Sequence, residues 1–409
     1  MGKILYYHRK KKKLTQEQVC KDICSITHYS KIENNSKEVS NETLQLLSER
    51  LGISISNEKE EIASISNSLK TFYDSIVNYN KEQMANMYEK LSEKHEYIIC
   101  TPLVYEYYLL IFRYHLSNYQ VTEAYELMEW LQQQQTKFSQ YERFLMTYFS
   151  GILWMIKQEN WKALKMFNEI EPFAVEYEHR VYEYYYHKAL VHSSLGQATM
   201  ATYYSEKSIS FFSKNNNFIR NLETKIIQAI NFTRIADYKK AEELFMNIQT
   251  QAEYFNQQDI AARNFHNFGY LYYCQEKYED AIAQYNKSLS LKQKGTDIYI
   301  STLLSIIEIY NILKDSQKAL ELVEEALEYL PTYSAPNRSR LELSYVELTV
   351  SESSFISYLE NISMPSFQKL RENEKVKRCA YQVATFYESN GNFEKSSKYF
   401  KLALLHDKE

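Results

Sequence analysis

The chain has 409 residues, a formal net charge of −4, 44% hydrophobic and 24% charged residues, which is the balance of a soluble globular protein. Its 7 glycines never cluster, which excludes the P-loop, the G-x-G-x-x-G turn and the nucleophile elbow, since each needs closely spaced glycines. No apolar run approaches the ~18 residues of a membrane helix, no signal segment follows the basic N-terminus, and the 5 cysteines form no paired framework. We therefore expect a cytoplasmic protein with reduced thiols, no membrane contact, no cofactor and no catalytic residues.

The first thirteen residues are strongly basic. Lys3 and the run from Arg9 to Lys13 supply six positive charges and no acidic residue occurs among them, which leaves −10 for the rest of the chain. Such runs are often solvated termini, but they also bind polyanions. The residues directly after the run favour the second interpretation.

Short helices separated by turn signals come after the basic run. Thr15 can cap a helix that extends to Cys20, with Gln18 at the capping-box position, and a second short helix begins at Ser25. A further helix is capped by Asn41 and stopped by Gly52. Helix, turn, second helix and bracing helix is the order of a DNA-binding helix-turn-helix.

Over Lys3 to Ser56 the chain resembles the lambda-repressor-like (Xre-type) helix-turn-helix family. The resemblance rests on Leu14-Thr15-Gln16-Glu17 and on Ser30-Lys31-Ile32-Glu33-Asn34, with two departures, Lys13 in place of a frequent glycine and His8 in place of an apolar residue. It implies that duplex DNA is a partner, with phosphate contacts from the N-terminal side and a second helix that faces the major groove. The implied DNA-binding residues are Arg9, Lys10, Gln16, Ile26, Thr27, His28 and Lys31.

Cys20, Cys24 and His28 recur every four residues, which would suit a metal site if one helix carried all three. A turn separates the two short helices here, however, and both cysteines fall where small core residues belong. We therefore predict no metal site.

Residues 57–61, NEKEE, lack apolar periodicity and are expected to form a linker. They divide the chain into a helix-turn-helix domain at residues 1–56 and a repeat domain at residues 62–409.

The repeat is clearest from Arg263 to Leu291, which is predicted to form one helical hairpin. Its first helix carries Phe265, Phe268, Gly269 and Tyr272 inward, the turn lies between Gln275 and Asp280, and the second helix carries Ala281, Tyr285 and Ser288 inward. With Ala281 as the register mark, a small residue recurs in steps of 38 to 40 residues. The marks are Ala85, Ala124, Ala163, Ala201, Ala241, Ala281 and Ala319, and two further steps lead past a degenerate unit near Tyr358 to Ser396.

These hairpins resemble tetratricopeptide (TPR) repeats, although the family's usual tryptophan is Phe265 here. The fold class is therefore expected to be all-α, a helix-turn-helix followed by a right-handed TPR-like solenoid. The alternative, an irregular helical bundle, does not account for so regular a period.

A helix-turn-helix followed by TPR-like repeats resembles the Gram-positive RNPP family of quorum-sensing regulators, whose members include the Rgg, NprR, PlcR and PrgX types, and in length and repeat count the NprR type most. The resemblance implies a transcription regulator that binds an imported oligopeptide in the groove of its repeats, and we expect a homodimer, with a higher oligomer left open. The alternative is a Rap-like protein that binds and inhibits or dephosphorylates a response regulator. Neither the peptide, the operator nor the sense of regulation can be predicted.

Groove-facing residues of successive first helices are the candidate peptide contacts. The asparagines among them matter because a side-chain amide can pair with an extended peptide backbone whatever the peptide sequence. The candidates are Glu183, His187, Ile227, Asn231, Arg234, Arg263, Asn267, Tyr270, Glu308 and Asn311.

Overall fold

The computed structural model describes residues 1–177, 179–370 and 372–405, and in this part of the chain the secondary structure is helical, without strands. The predicted all-α class is confirmed. None of the described helices is both long enough and apolar enough to cross a bilayer. The helices are α1 Gly2–Lys11, α2 Gln16–Cys20, α3 Ile26–Glu33, α4 Asn41–Arg50, α5 Ile55–Val77, α6 Lys81–Glu93, α7 His95–Ile98, α8 Val104–Ser117, α9 Val121–Gln134, α10 Gln140–Ile156, α11 Asn160–Tyr177, α12 Tyr184–Ser194, α13 Ala198–Lys214, α14 Phe218–Arg234, α15 Tyr238–Tyr254, α16 Gln258–Cys274, α17 Tyr278–Ser290, α18 Asp297–Ile312, α19 Ser316–Leu327, α20 Ala335–Thr349, α21 Glu352–Tyr358, α22 Met364–Lys369, α23 Asn373–Ser389 and α24 Phe393–Leu405.

The chain forms two compact units, Met1–Ile227 and Gln228–Glu409. The first contains the helix-turn-helix, α1 to α4, and the hairpins that begin with α5 and α6. The second contains hairpins such as α16 with α17, α18 with α19 and α23 with α24. Each unit buries its apolar residues between neighbouring hairpins, as the repeat pattern predicts.

The predicted register is confirmed in all but one hairpin. The small residue is the fourth residue of the second helix and has no exposed surface at Ala124, Ala163, Ala201, Ala241, Ala281 and Ala319, and only 4% at Ser396. The first mark, Ala85, was wrong, because α6 begins at Lys81 and its fourth residue is Met84, which is buried while Ala85 is exposed. A methionine can fill that position because its flexible side chain adapts to an irregular gap.

Close approach of the two helices explains the glycine in the clearest hairpin. A Cβ atom at Gly269 would lie 2.7 Å from ring atoms of Tyr285, so α16 and α17 approach more closely here than any side chain at residue 269 would allow. The predicted inward position of Gly269 is confirmed, although Phe265 and Tyr272 of the same stripe are only half-buried.

The hairpin turns share one backbone geometry that was not predicted from the sequence. In the turn after α16, Glu276 has φ 59° and the N–H of Lys277 donates to the carbonyl of Tyr272, five residues back, which is a Schellman helix end. The equivalent left-handed residues are Tyr79, Tyr119, Gln158, Gly196, Ala236, Glu276, Lys314 and Gly391. Only two of these are glycine, the residue that adopts this conformation without steric cost.

Ala236→Gly is therefore expected to stabilise the chain by about 1 kcal/mol, because it removes a left-handed alanine that is exposed and makes no buried packing. The matched control is Ala283→Gly in the exposed face of α17, which should destabilise by about the same amount because glycine weakens a helix interior. Urea unfolding midpoints would show opposite shifts. Shifts of the same sign would contradict the turn geometry.

Residues 57–61 do not form the expected irregular linker. They lie inside α5, which is capped by the Ser54 side chain and continues to Val77. Glu58 is buried and accepts a 2.5 Å hydrogen bond from Tyr97, so part of this polar stretch belongs to the packed structure. The division into domains at residues 56 and 62 remains a prediction.

Candidate DNA-binding head and peptide site

The head, residues 1–56, contains the predicted helix-turn-helix. Thr15 caps α2 in a capping box with Gln18, as predicted, and the Ser25 side chain caps α3. The third cap was assigned one residue too late, because Ser40 and not Asn41 accepts the first-turn N–H of α4. Gly52, with φ 61°, follows the end of α4.

The outer face of α3 is available to a ligand. Ile26 is 47% exposed, Thr27 and Lys31 are exposed and His28 is half-buried, whereas Tyr29 on the opposite face is buried. An exposed second helix with short polar side chains, a histidine and a lysine can enter the major groove of B-DNA.

Arg9 and Gln16 have a different role from the predicted one. Arg9 is 6% exposed, and its Nε and Nη2 atoms donate to the Glu33 carboxylate at 2.6 and 2.9 Å, while Gln16 Nε2 donates to the same carboxylate at 2.7 Å. Although burial opposes ionisation, the hydrogen bonds from Arg9 and Gln16 lower the pKa of Glu33. The prediction that Arg9 contacts phosphate was therefore wrong, since its charge is neutralised inside the head. Gln16 is half-buried with its amide committed to Glu33.

Lysines of the basic run are placed at the surface. Lys10, Lys11, Lys12 and Lys13 are all exposed. Lys12 Nζ donates to the carbonyl of Leu51 at the end of α4, which holds the run against the head. The other three ammonium groups supply the positive surface on this side of the head.

Helix α1 belongs to two cores. Leu5 lies in the small core of the head, whereas Ile4 packs in the large core of the first unit. His8 Nε2 lies 2.9 Å from Glu58 Oε1 of α5, and the Tyr7 and Tyr97 rings contact edge to face. His8, which replaces an apolar residue of the helix-turn-helix family, thus attaches the head to α5 of the first repeat.

The predicted peptide contacts in the first unit are buried, and these predictions were wrong. Glu183 has no exposed surface, His187 is 4% exposed and Ile227 is 6% exposed. Arg113 of α8 donates two 3.0 Å hydrogen bonds to Glu183, and Tyr148 shares a 2.7 Å hydrogen bond with His187 Nδ1. The sequence showed polar residues on a first helix but not that the helices on both sides enclose them.

In the second unit the predicted residues separate into buried and accessible ones. Asn231 has no exposed surface and accepts from Arg234 at 3.3 Å, so it does not meet a ligand directly, whereas Arg234 is exposed and Tyr270 half-buried. Arg263 and Asn267 line a cavity of about 460 Å³, which we call the Lys292 cavity. The remaining lining residues are Asp259, Ala262, His266, Leu291, Lys292, Ile298, Ser301 and Thr302.

Glu308 and Asn311 line another cavity, the Arg340 cavity, of about 270 Å³. Three cations that the sequence analysis missed share this cavity, Arg340 of α20 with Lys375 and Arg378 of α23. They were missed because the degenerate unit, which includes a π-helical turn at Leu359–Ser363, breaks the repeat register before α23. Four groove candidates of the second unit therefore line two cavities that also contain basic side chains, and Asn231, Arg234 and Tyr270 line neither.

Comparisons with known proteins agree with this architecture. The family model described as Helix-turn-helix (HTH_3) matches residues 5–56. The transcriptional activator NprA of Geobacillus stearothermophilus is 26% identical over 396 residues, which cover 93% of this chain and 97% of NprA. The first match covers the head alone, whereas the second extends along almost the whole length of a transcriptional activator.

Solved structures show the same fold. The apo quorum sensor NprR from B. thuringiensis matches with a TM-score of 0.72 and 20% identity over 84% of this chain and 99% of NprR. NprR with its cognate peptide NprX matches with a TM-score of 0.66 and 21% identity over 83% and 98%. A Rap protein complexed with Competence and Sporulation Factor matches with a TM-score of 0.67 and 14% identity over 85% and 98%. With a helix-turn-helix head and a body of helical repeats, the chain is similar to the transcriptional activator NprA along almost the whole length of both chains and has the fold of NprR.

Proposed function

We propose that the chain is a peptide-responsive transcription regulator, not an enzyme, that binds duplex DNA through its head and a short oligopeptide through its repeats. The exposed face of α3 beside the basic run carries the DNA part of the proposal. The full-length similarity to an activator, and the complex of NprR with its cognate peptide, support the peptide part.

The DNA contacts divide into two groups. Lys10, Lys11 and Lys13 supply charge that does not distinguish sequences, whereas Thr27 and Lys31 present groups that can read base edges. Ile26 and His28 flank these two on α3 and complete the proposed recognition face. Arg9 and Gln16 hold the head together through Glu33 and act only indirectly.

Replacing Lys10, Lys11 and Lys13 together by Gln is expected to weaken binding to all duplexes and to reduce the slope of log affinity against log salt by about 0.9 for each phosphate that is no longer neutralised. Thr27→Ala and Lys31→Ala should instead change the preferred sequence. Fluorescence anisotropy over a salt series measures both effects. The control is Lys59→Gln, an exposed lysine of α5 outside the head, and an equal slope change in the control would contradict the assignment.

The proposed peptide contacts are Arg263, Asn267, Glu308 and Asn311, together with Tyr270 on α16 and Arg234 at the end of α14. They belong to α14, α16 and α18, successive first helices. First helices pack roughly 10 Å apart, which an extended strand crosses in about three residues, so these contacts suit a segment of five to eight residues. Bound peptide alters DNA binding only if it favours one conformation of the repeats over another.

A homodimer is part of the proposal, because a two-fold operator needs two heads and the head of about 56 residues has little apolar surface beyond its own core. The repeats then supply the interface. Sedimentation of the full chain as a monomer at micromolar concentration, with and without DNA, would contradict it.

The second candidate function is Rap-like binding of a response regulator, favoured by the fold shared with a Rap protein. The two functions differ in their use of the head. Loss of regulation when Thr27 and Lys31 are replaced would assign the activity to DNA, whereas regulation that persists in that variant would assign it to a protein partner.

A further inference from the structure

The Arg340 cavity lies among α18, α20 and α23 in the second unit and combines apolar walls with charged groups. Leu304, Leu343 and Phe355 supply apolar surface, and the cations Arg340, Lys375 and Arg378 face the carboxylates of Glu308 and Glu347. The cations therefore outnumber the carboxylates in this cavity.

The two carboxylates are already engaged. Arg378 Nη1 donates to Glu308 Oε1 at 2.7 Å, and Tyr273 donates to the same oxygen at 3.2 Å. Asn311 Nδ2 donates to Glu347 at 3.5 Å. Glu308 thus pairs with Arg378, and neither Glu308 nor Glu347 forms an ion pair with the other two cations in the described part of the chain.

Arg340 and Lys375 make no ion pair within the described residues. Both are half-buried, and the side chain of Arg340 donates only a 3.4 Å hydrogen bond, to Asn337. Burial lowers the pKa of Arg340 despite the attraction of Glu372 and Glu308, and burial together with the Arg340 charge lowers the pKa of Lys375. Two cations that are partly removed from water and have no carboxylate in direct contact form a site for an anion.

The positive potential extends into the Lys292 cavity. Burial, reinforced by the charges of Lys292 and Arg340, lowers the pKa of His266 to about 4. Burial also lowers the pKa of Lys292 to about 8, and its amine donates to Thr302 at 2.6 Å without a carboxylate partner in the described part of the chain. A ligand that lies along both cavities thus meets, in each, a cation that has no carboxylate in direct contact.

A free acceptor completes the site. Asn311 Oδ1 is buried and has no hydrogen-bond partner among the described residues. It can accept an N–H from an extended backbone, while an Arg guanidinium matches the two oxygens of a carboxylate. A backbone N–H next to a carboxylate is the chemistry of a peptide.

We propose that the Arg340 cavity binds a carboxylate of the signalling peptide through Arg340 and Lys375, with Asn311 Oδ1 accepting a neighbouring peptide N–H. The proposal rests on the peptide-binding function proposed above and specifies the charge of its ligand. The carboxylate belongs either to the C-terminus of the peptide or to an Asp or Glu side chain.

Affinity selection from synthetic hexapeptide pools tests this. One random pool carries free C-terminal carboxylates and a second carries C-terminal amides, and peptides retained by the full-length chain are identified by mass spectrometry. We expect the retained peptides to be enriched about tenfold to hundredfold in one kind of carboxylate, either the C-terminal one or that of an Asp or Glu side chain, over peptides with an uncharged group at that place. Enrichment of the acid over the amide pool identifies the C-terminus, and enrichment of Asp and Glu in both pools identifies a side chain.

Arg340→Gln and Lys375→Gln should each reduce this enrichment by about tenfold or more, and Arg340→Lys should retain part of it. The matched controls are Arg338→Gln, two residues away on the exposed face of α20, and Lys369→Gln on α22, which should leave it unchanged. Circular dichroism establishes that the variants are folded. Peptides retained without carboxylate preference would overturn the inference alone, whereas retention of no peptide would overturn the proposed function as well.

Discussion

Replacing Arg113 by Met is expected to lower the free energy of unfolding of the first unit by about 3 to 5 kcal/mol. The two guanidinium hydrogen bonds to Glu183 are 3.0 Å long, and neither side chain is more than 4% exposed. Without Arg113, a carboxylate would remain in the core with Arg220 Nη2 at 3.9 Å as its nearest remaining cation. A buried carboxylate left with only this more distant cation is more costly than the loss of the pair as a whole.

The double variant Arg113→Met, Glu183→Leu should recover much of this loss, because apolar residues of similar size can replace a buried ion pair. The comparison variant is Lys94→Met, whose amine pairs with Glu61 where the side chains are 41% and 40% exposed, and which should cost at most about 1 kcal/mol. Chemical unfolding followed by circular dichroism measures all three. A decrease below about 1 kcal/mol in Arg113→Met would show that Glu183 is not held as described.

The first unit is expected to lose stability as the pH falls from 6.5, because burial lowers the pKa of His187 and, by a smaller shift, that of His192. Burial lowers the pKa of His187 to about 3, because the charged form would lose its hydration and lie near Arg113 and Arg220. Between pH 6.5 and 3 the unfolded chain therefore binds a proton that the native chain does not. Its stability is fully present above the unfolded pKa and decreases by about 1.4 kcal/mol for each pH unit below it.

His187→Gln should flatten this dependence while keeping an acceptor for the hydroxyl of Tyr148. His179→Gln changes an exposed histidine and should leave the profile unchanged. Protonation of Glu183 does not affect this comparison above pH 4.5, since its neighbours lower its pKa to about 2 despite its burial. Unfolding midpoints between pH 7 and 4.5 that are parallel in wild type and His187→Gln would contradict the account.

The parts of the fold that sequence could predict are those that depend on local spacing. Ala241, Ala281 and Ala319 are recognisable because two helices can approach closely only at a small residue, and the Thr15 and Ser25 caps are readable because hydroxyls satisfy first-turn N–H groups. Ala85 misled the register because a methionine occupies the equivalent position.

Long-range partners could not be predicted. From the sequence alone Arg9 resembles a DNA contact, but in the structure Glu33, 24 residues later, neutralises it. Glu183 likewise resembles a ligand contact, but Arg113, 70 residues earlier, pairs with it in the core. Arg340 and Lys375 carried no signal because the repeat pattern fails between them. The left-handed turns at Ala236 and Glu276 carried none because neither residue is a glycine.

The proposed coupling of peptide binding to DNA binding is tested by selection of genomic fragments from the organism's own DNA with the full-length protein. The fragments are selected with and without the peptides that the chain retains from the random pools, and with the Thr27→Ala, Lys31→Ala variant. We expect a narrow set of fragments with two-fold symmetric sites, disappearance of that set in the variant, and a change of at least about tenfold in retention when peptide is added. Salt-sensitive binding that is the same in the variant, or a fragment set that no retained peptide alters, would contradict it.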